Sequence, residues 1–191
     1  MSEEAVVRCC APTLAGLKTG SLFTCPCEDR QAVTDAIRRF NARLRCKGLQ
    51  ALALRFSHRR ALIYVYRPHR LQADFSAGQA SRLLTELGYQ PESCRRCVGR
   101  LIRKLRSGGE FPHEIGLFLG YPPEDVQGFM EHHAAGSKCT GCWRVYGDPE
   151  AAQKRFAQYE KCTRIYRAQW KKGTAIERLT VADGYTIKKK G

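Results

Sequence analysis

The sequence predicts an α+β fold in one domain over residues 1–181: a small, mostly antiparallel sheet, several helices, and a long C-terminal helix. Three observations carry this. Alternating apolar runs at 49–56 and 61–66 read as the strands of a hairpin. Stripes of helical period occupy the stretches before and after them. The 191 residues, 43% of them hydrophobic, suffice for a packed core.

Taken in order, residues 5–19 are apolar and small and end in the turn-prone Lys18-Thr19-Gly20, and 21–24 is a short strand. Glu28 and Asp29 precede a helix over 30–46. Its Val33, Ile37, Phe40 and Leu44 step by four, three and four, which makes one stripe. Arg38, Arg39, Arg43 and Arg45 take the opposite face, and Lys47-Gly48 ends it. Ser57-His58-Arg59-Arg60 joins the two hairpin strands. In the second strand Leu62, Tyr64 and Tyr66 share one side, with Ile63 and Val65 on the other.

Helices follow at 78–87, closed by Gly88, and at 92–106, with Val98, Leu101, Ile102 and Leu105 on one face and arginines opposite. Short helices at 113–119 and 124–132 are framed by prolines and glycines. Pro123 suits the first turn of the second, and histidines close it, as the helix dipole prefers. Residues 141–146 read as a strand. Asp148 then caps a helix running to 172, with Pro149 at its first position and Ala152, Phe156, Tyr159, Cys162 and Tyr166 along one side. A flexible basic tail is expected over 182–191. The order strand, helix, hairpin, helices, strand, helix fits a split βαβ, ferredoxin-like core with helical insertions before its fourth strand.

The net charge is +15, from 33 Lys and Arg against 18 Asp and Glu. Residues 30–106 carry nearly all the excess, with 18 basic and four acidic side chains. Such a field attracts phosphates, nucleic acid or acidic proteins, and otherwise serves as a solvated surface. No apolar run is long enough for a membrane helix, so no membrane partner is expected. The N-terminal stretch lacks a signal-type apolar core. With ten cysteines in a chain of this length, a reducing cytoplasm with reduced thiols is the expectation, rather than a secreted disulfide scaffold. Several of those cysteines are expected as small core residues.

The sharpest constellation is Cys139-Thr140-Gly141-Cys142. A C-x-x-C turn brings two thiols together to chelate a metal or form a disulfide. It supplies half of a four-donor site, and His132, His133 and Cys162 are the neighbours that could complete a tetrahedral zinc or iron site. Cys10 and His113 are further helpers with no spacing argument behind them. A second pair, Cys94 and Cys97, sits inside a helix beside arginines that repel a cation, with 41 residues between the two pairs. His113-Glu114 does not begin H-E-x-x-H, because position 117 is Leu117. The segment 111–121 could instead line the pocket of an enzyme whose chemistry the residues do not name. No phosphate loop, dinucleotide fingerprint or G-x-S-x-G elbow is present.

A different class of function rests on the basic middle segment. Arg38, Arg39, Arg43, Arg59, Arg60 and Arg67 would hold phosphates, and Tyr64 and Tyr66 would stack bases as RNA-recognition sheets do. The strand lacks the glycine pattern of those sheets, and its tyrosines are better suited to packing beneath a helix.

Two long stretches, FPHEIGLFLGYPPEDVQGF (111–129) and KCTGCWRVYGDPEAAQKRFAQYEKCT (138–163), occur with CAPTLAGLK (10–18), LIYVYRP (62–68) and AIERLTVA (175–182). Together they resemble domain-of-unknown-function family 3793, found in anaerobic Firmicutes. The resemblance spans 10–182. It implies a cytoplasmic protein from an anaerobe and brings no activity, cofactor or catalytic residue with it.

Overall fold

The structure, a computed structural model, describes residues 1–184. The chain expected as one domain divides into two compact units: Met1–His69 with the chain from Cys162 on, and Arg70–Lys161. The fold is α+β.

The first unit opens with a helix where only an apolar segment was read, α1 (Glu3–Leu14). Ser2 caps it by accepting from the Ala5 amide at 3.2 Å, and Glu3 and Glu4 occupy the turn where the helix dipole favours negative charge. Val6, Val7, Cys10, Ala11 and Leu14 form its buried stripe. Pro12 falls in its last turn and supplies no amide to the helical ladder there. Strand β1 (Gly20–Pro26) follows. Helix α2 (Arg30–Leu44) starts on Asp29, which accepts from the amides of Gln31 and Ala32. A 3₁₀ turn, Arg45–Lys47, and Gly48 at φ +78° end it.

Strands β2 (Gln50–Ser57) and β3 (Arg60–Tyr66) form the expected hairpin. Its two-residue turn puts His58 at φ 47° and Arg59 at φ 56°, the left-handed pair that matches strand twist. The sheet order is β1-β3-β2, with both pairings antiparallel. β1 and β2 therefore run the same way with β3 between them, which is the split βαβ. Leu54 is the extra residue of a bulge between Ala53 and Arg55. Phe23, Ala51, Ile63 and Val65 bury one sheet face in a core with the stripes of α1 and α2. At the β2 edge Asn41 accepts from the Ala51 amide at 2.7 Å and donates to its carbonyl at 2.9 Å, so α2 completes a strand edge.

The second unit contains α3 (Pro68–Ser76, entered from the first), α4 (Gly78–Glu86), α5 (Cys94–Arg106), α6 (Ile115–Phe118) and α7 (Pro123–His132). Phe75, Tyr89 and Phe118 pack edge to face in its interior. The strand expected at 141–146 does not join the main sheet. It is the return arm, β5 (Arg144–Val145), of a separate hairpin with β4 (Cys139–Thr140). Local partners four and six residues away pair with its backbone.

Helix α8 (Pro149–Lys171) follows Asp148, whose side chain accepts from the amides of Glu150 and Ala151. It begins in the second unit and ends in the first, where Ile176 and Leu179 of α9 (Ile176–Leu179) join the core. Of the tail expected over 182–191, the part from residue 185 lies outside the described residues. No helix among the described residues is long and apolar enough to cross a membrane.

Candidate thiol site

Cys139 and Cys142 stand on the β4–β5 hairpin, Cys139 half-buried in the strand and Cys142 exposed at the tip. Thr140 pairs with Arg144, and the Gly141 amide closes the turn on the Trp143 carbonyl at 3.0 Å. Neither is in a disulfide, nor are the other eight cysteines.

The hairpin is anchored from beneath by one carboxylate. Asp125, in the first turn of α7 and only 3% exposed, accepts from the Trp143 indole at 2.7 Å and from the amides of Tyr146 and Gly147 at 2.7 and 2.8 Å. Three donors and a helix N-terminus compensate a charge that burial would otherwise penalise. Trp143 stacks on Tyr121 at 4.7 Å and meets Phe156 edge-on at 4.6 Å. Gly141 lies against the Phe156 ring so closely that a Cβ would stand 2.3 Å from it. The Tyr121 hydroxyl donates to the Cys142 carbonyl at 3.2 Å. Burial, then the nearby Cys142 thiol, raise the Tyr121 pKa, so the phenol keeps its proton.

A cavity of about 200 Å³ lies beside the tip, with His113, Tyr121, Asp125, Phe129, Trp143 and Arg144 in its wall. From the segment 111–121, His113, Ile115, Gly116 and Tyr121 line this cavity. His113 packs edge-on against Phe129 at 4.9 Å and stands 5.9 Å from the His133 ring. His132 is exposed at the end of α7, 6.4 Å from the Tyr146 ring.

The remaining helpers are not thiolates ready to bind. Cys10 is fully buried in the core of the first unit, and burial raises its pKa strongly. Cys162 lies on the buried stripe of α8, also in the first unit, and burial pushes its thiol up to about 11. Cys94 and Cys97 are likewise raised by burial, and the Cys97 thiol donates to the Gln90 carbonyl at 3.0 Å. Among the described residues, no three His, Cys, Asp or Glu side chains are gathered to hold a metal ion. Cys139 and Cys142 by themselves supply two of the four donors that a tetrahedral zinc or iron ion takes.

Most of the residues assigned to nucleic acid are buried or engaged by other side chains. Tyr64 is fully buried and Tyr66 nearly so, with their rings stacked 4.6 Å apart. Neither presents a face to a base, so the base-stacking role is corrected to packing. Arg67 is fully buried and committed to backbone carbonyls and Asp183. Arg43 pairs with Glu3 and Glu177, Arg38 with Asp35, and Arg59 with Glu28. Arg60 donates to Thr24, and Arg39 is exposed.

Sequence reasoning missed Asp125, Tyr121 and Trp143 as the frame of the thiol pair. The only local signal was a carboxylate in the first turn of a proline-started helix, which reads equally as a cap.

No curated protein and no solved structure matches the chain. The family described as "Protein of unknown function (DUF3793)" matches residues 6–180, nearly the whole length, and the chain belongs to that family.

Proposed function

We propose that the protein is a dithiol protein working through Cys139 and Cys142. The observation that carries this reading is their placement at two positions of one tight hairpin, held by Asp125, Trp143 and Tyr121, with Cys142 exposed. A dithiol needs only two sulfurs, whereas a tetrahedral ion needs four donors, so the donor count favours thiol–disulfide chemistry over a resident metal. The exposed Cys142 thiolate attacks a disulfide of low molecular weight or on another protein. One partner sulfur leaves as a thiolate, and a mixed disulfide forms. Cys139 then attacks the Cys142 sulfur and releases the second partner thiol. The partner gains two electrons and two protons, and the hairpin becomes a disulfide.

The test is oxidised glutathione added to protein purified without oxygen, followed by thiol counting and peptide mass mapping. The expected result is the loss of both thiols, with a cross-link between Cys139 and Cys142. A stable glutathione adduct on Cys142 with no cross-link overturns the reading. Zinc or iron near one equivalent, absent from Cys139→Ser, replaces it with a metal-binding one.

A further inference from the structure

The positive charge of the middle segment is concentrated on a helix that the hairpin does not use. Within its 13 residues α5 carries Arg95, Arg96, Arg100, Arg103, Lys104 and Arg106. Lys104 is paired with Glu114 at 2.5 Å. Arg95, Arg96, Arg100 and Arg103 have no carboxylate partner among the described residues, in contrast to Arg38, Arg43 and Arg59. All four line one open groove of about 530 Å³, with Gly88 and Gly99 as bare positions in its wall.

The groove holds its arginines in place. Arg96 donates to the Gln90 side chain at 3.0 Å. Arg100 lies over the Tyr89 ring at 5.4 Å and donates to the Leu87 carbonyl at 3.3 Å. Gly88, at φ +76°, makes room for it: a Cβ there would stand 2.7 Å from the guanidinium. The Nε of Arg100 is buried with no hydrogen-bond partner. Four arginines without a carboxylate partner in one groove repel one another, and an anion bound there relieves that repulsion.

We propose that this groove binds the phosphate backbone of single-stranded nucleic acid. The cations form a row. Arg96, Arg100 and Arg103 step by four and three residues, about 6 and 4.5 Å along the helix at 1.5 Å per residue, and Arg95 lines the groove beside the row. A row suits successive phosphates of a chain better than one compact anion. The guanidinium fork suits phosphate oxygens. No aromatic side chain is in the groove's lining among the described residues, so it offers no ring for base stacking and contacts the backbone rather than the sequence. This is separate from the thiol chemistry and is unaffected by Cys139→Ser.

The test is fluorescence anisotropy of a labelled oligouridylate with the full chain. Affinity should fall linearly on a log–log scale between about 50 and 200 mM salt, with a slope of about −0.7 for each phosphate held. The exposed triple variant Arg95→Gln/Arg96→Gln/Arg103→Gln should weaken binding at least about tenfold at the lower salt and flatten the slope by about 2. Lysines at the same positions should restore most of the slope. Arg38→Gln/Arg39→Gln on α2 should change affinity by less than about twofold. Absence of binding at low salt, or a triple variant that binds as the parent does, overturns the proposal. So does inorganic triphosphate matching the oligonucleotide, which makes the groove a small-anion site. Polyglutamate competing as well as polyuridylate makes it a site for acidic protein.

Discussion

Arg67 and Asp183 form an ion pair in which the arginine has no solvent exposure and the carboxylate little. The guanidinium also donates to the carbonyls of Thr13 and Leu14 at the end of α1, to Val181, and at 3.4 Å to Lys47. One side chain thus satisfies the helix end and ties the segment after α9 to it. The second carboxylate oxygen of Asp183 is buried without a hydrogen bond, and a Cβ at Gly48 would stand 2.4 Å from it. Arg67→Met should therefore cost about 3–5 kcal/mol in urea unfolding, because it strands the carboxylate and the carbonyls together. Gly48→Ala should destabilise as well, through both the clash and the positive φ. An Arg67→Met protein as stable as its parent would mean that water replaces all five contacts.

Asp125 is expected to govern the order of the cysteine hairpin. Asp125→Ala removes three hydrogen bonds from a buried carboxylate and should cost about 3 kcal/mol. The effect should be local: faster amide exchange at Tyr146 and Gly147, and a red shift of Trp143 fluorescence as its indole loses its acceptor and its stack on Tyr121 loosens. Closure of the Cys139–Cys142 disulfide should slow in the same variant. Unchanged exchange at those two amides would remove Asp125 from this role.

Elements with a complete local signal were legible in the sequence. The stripe and Asp29 cap of α2, the alternation of β2 and β3, and the Asp148-Pro149 start of α8 each carry their own period and terminus. Helix α1 was hidden because Pro12 reads as a breaker, although Val6, Val7, Cys10, Ala11 and Leu14 fall on one face. Helix α3 was hidden behind Arg67-Pro68, which reads as the end of a strand, when Pro68 is in fact the first helical residue. The misplaced fourth strand has a different cause: alternation announces a strand but not its partner. At the site, the C-x-x-C spacing was visible, and so was the packing role of Cys162 on its stripe. The Asp125–Trp143 bond was not, because it joins residues 18 apart on a helix and a hairpin whose approach no local pattern encodes.

The buried thiol of Cys162 gives a signature in base. Burial pushes its pKa from 9.0 to about 11. Below the unfolded value both states hold the proton and the folded state loses nothing. Between pH 9 and about 11 the unfolded thiol ionises while the folded one does not, so folding stability falls with rising pH. Over that window the parent should lose about 2 kcal/mol more than Cys162→Ala does, measured by urea unfolding at each pH. Alkylation near pH 8 should label Cys142 well before Cys162 or Cys10. Equal slopes for parent and Cys162→Ala would show that the thiol reaches water in the folded protein.

Glu114 gives the complementary signature in acid. It is 4% exposed, 2.5 Å from the Lys104 ammonium, and accepts from the Tyr89 hydroxyl at 2.8 Å. Burial pushes its carboxyl up, but the hydrogen bonds from Lys104 and Tyr89 outweigh burial and hold it below its ordinary value of 4.5. A depressed folded pKa contributes stability that is present above the unfolded value and lost as pH falls through the folded one. Glu114→Gln should therefore flatten the acid limb below pH 4.5, as followed by circular dichroism. In Lys104→Met the largest lowering influence is gone, so the folded-state pKa rises toward the unfolded value, the stability Glu114 contributes above it shrinks, and the acid transition moves to higher pH. Should that transition stay where it is in the parent, Tyr89 alone holds the carboxylate, and the ammonium contributes only packing of its stem against the Tyr89 ring, 5.0 Å from its charge.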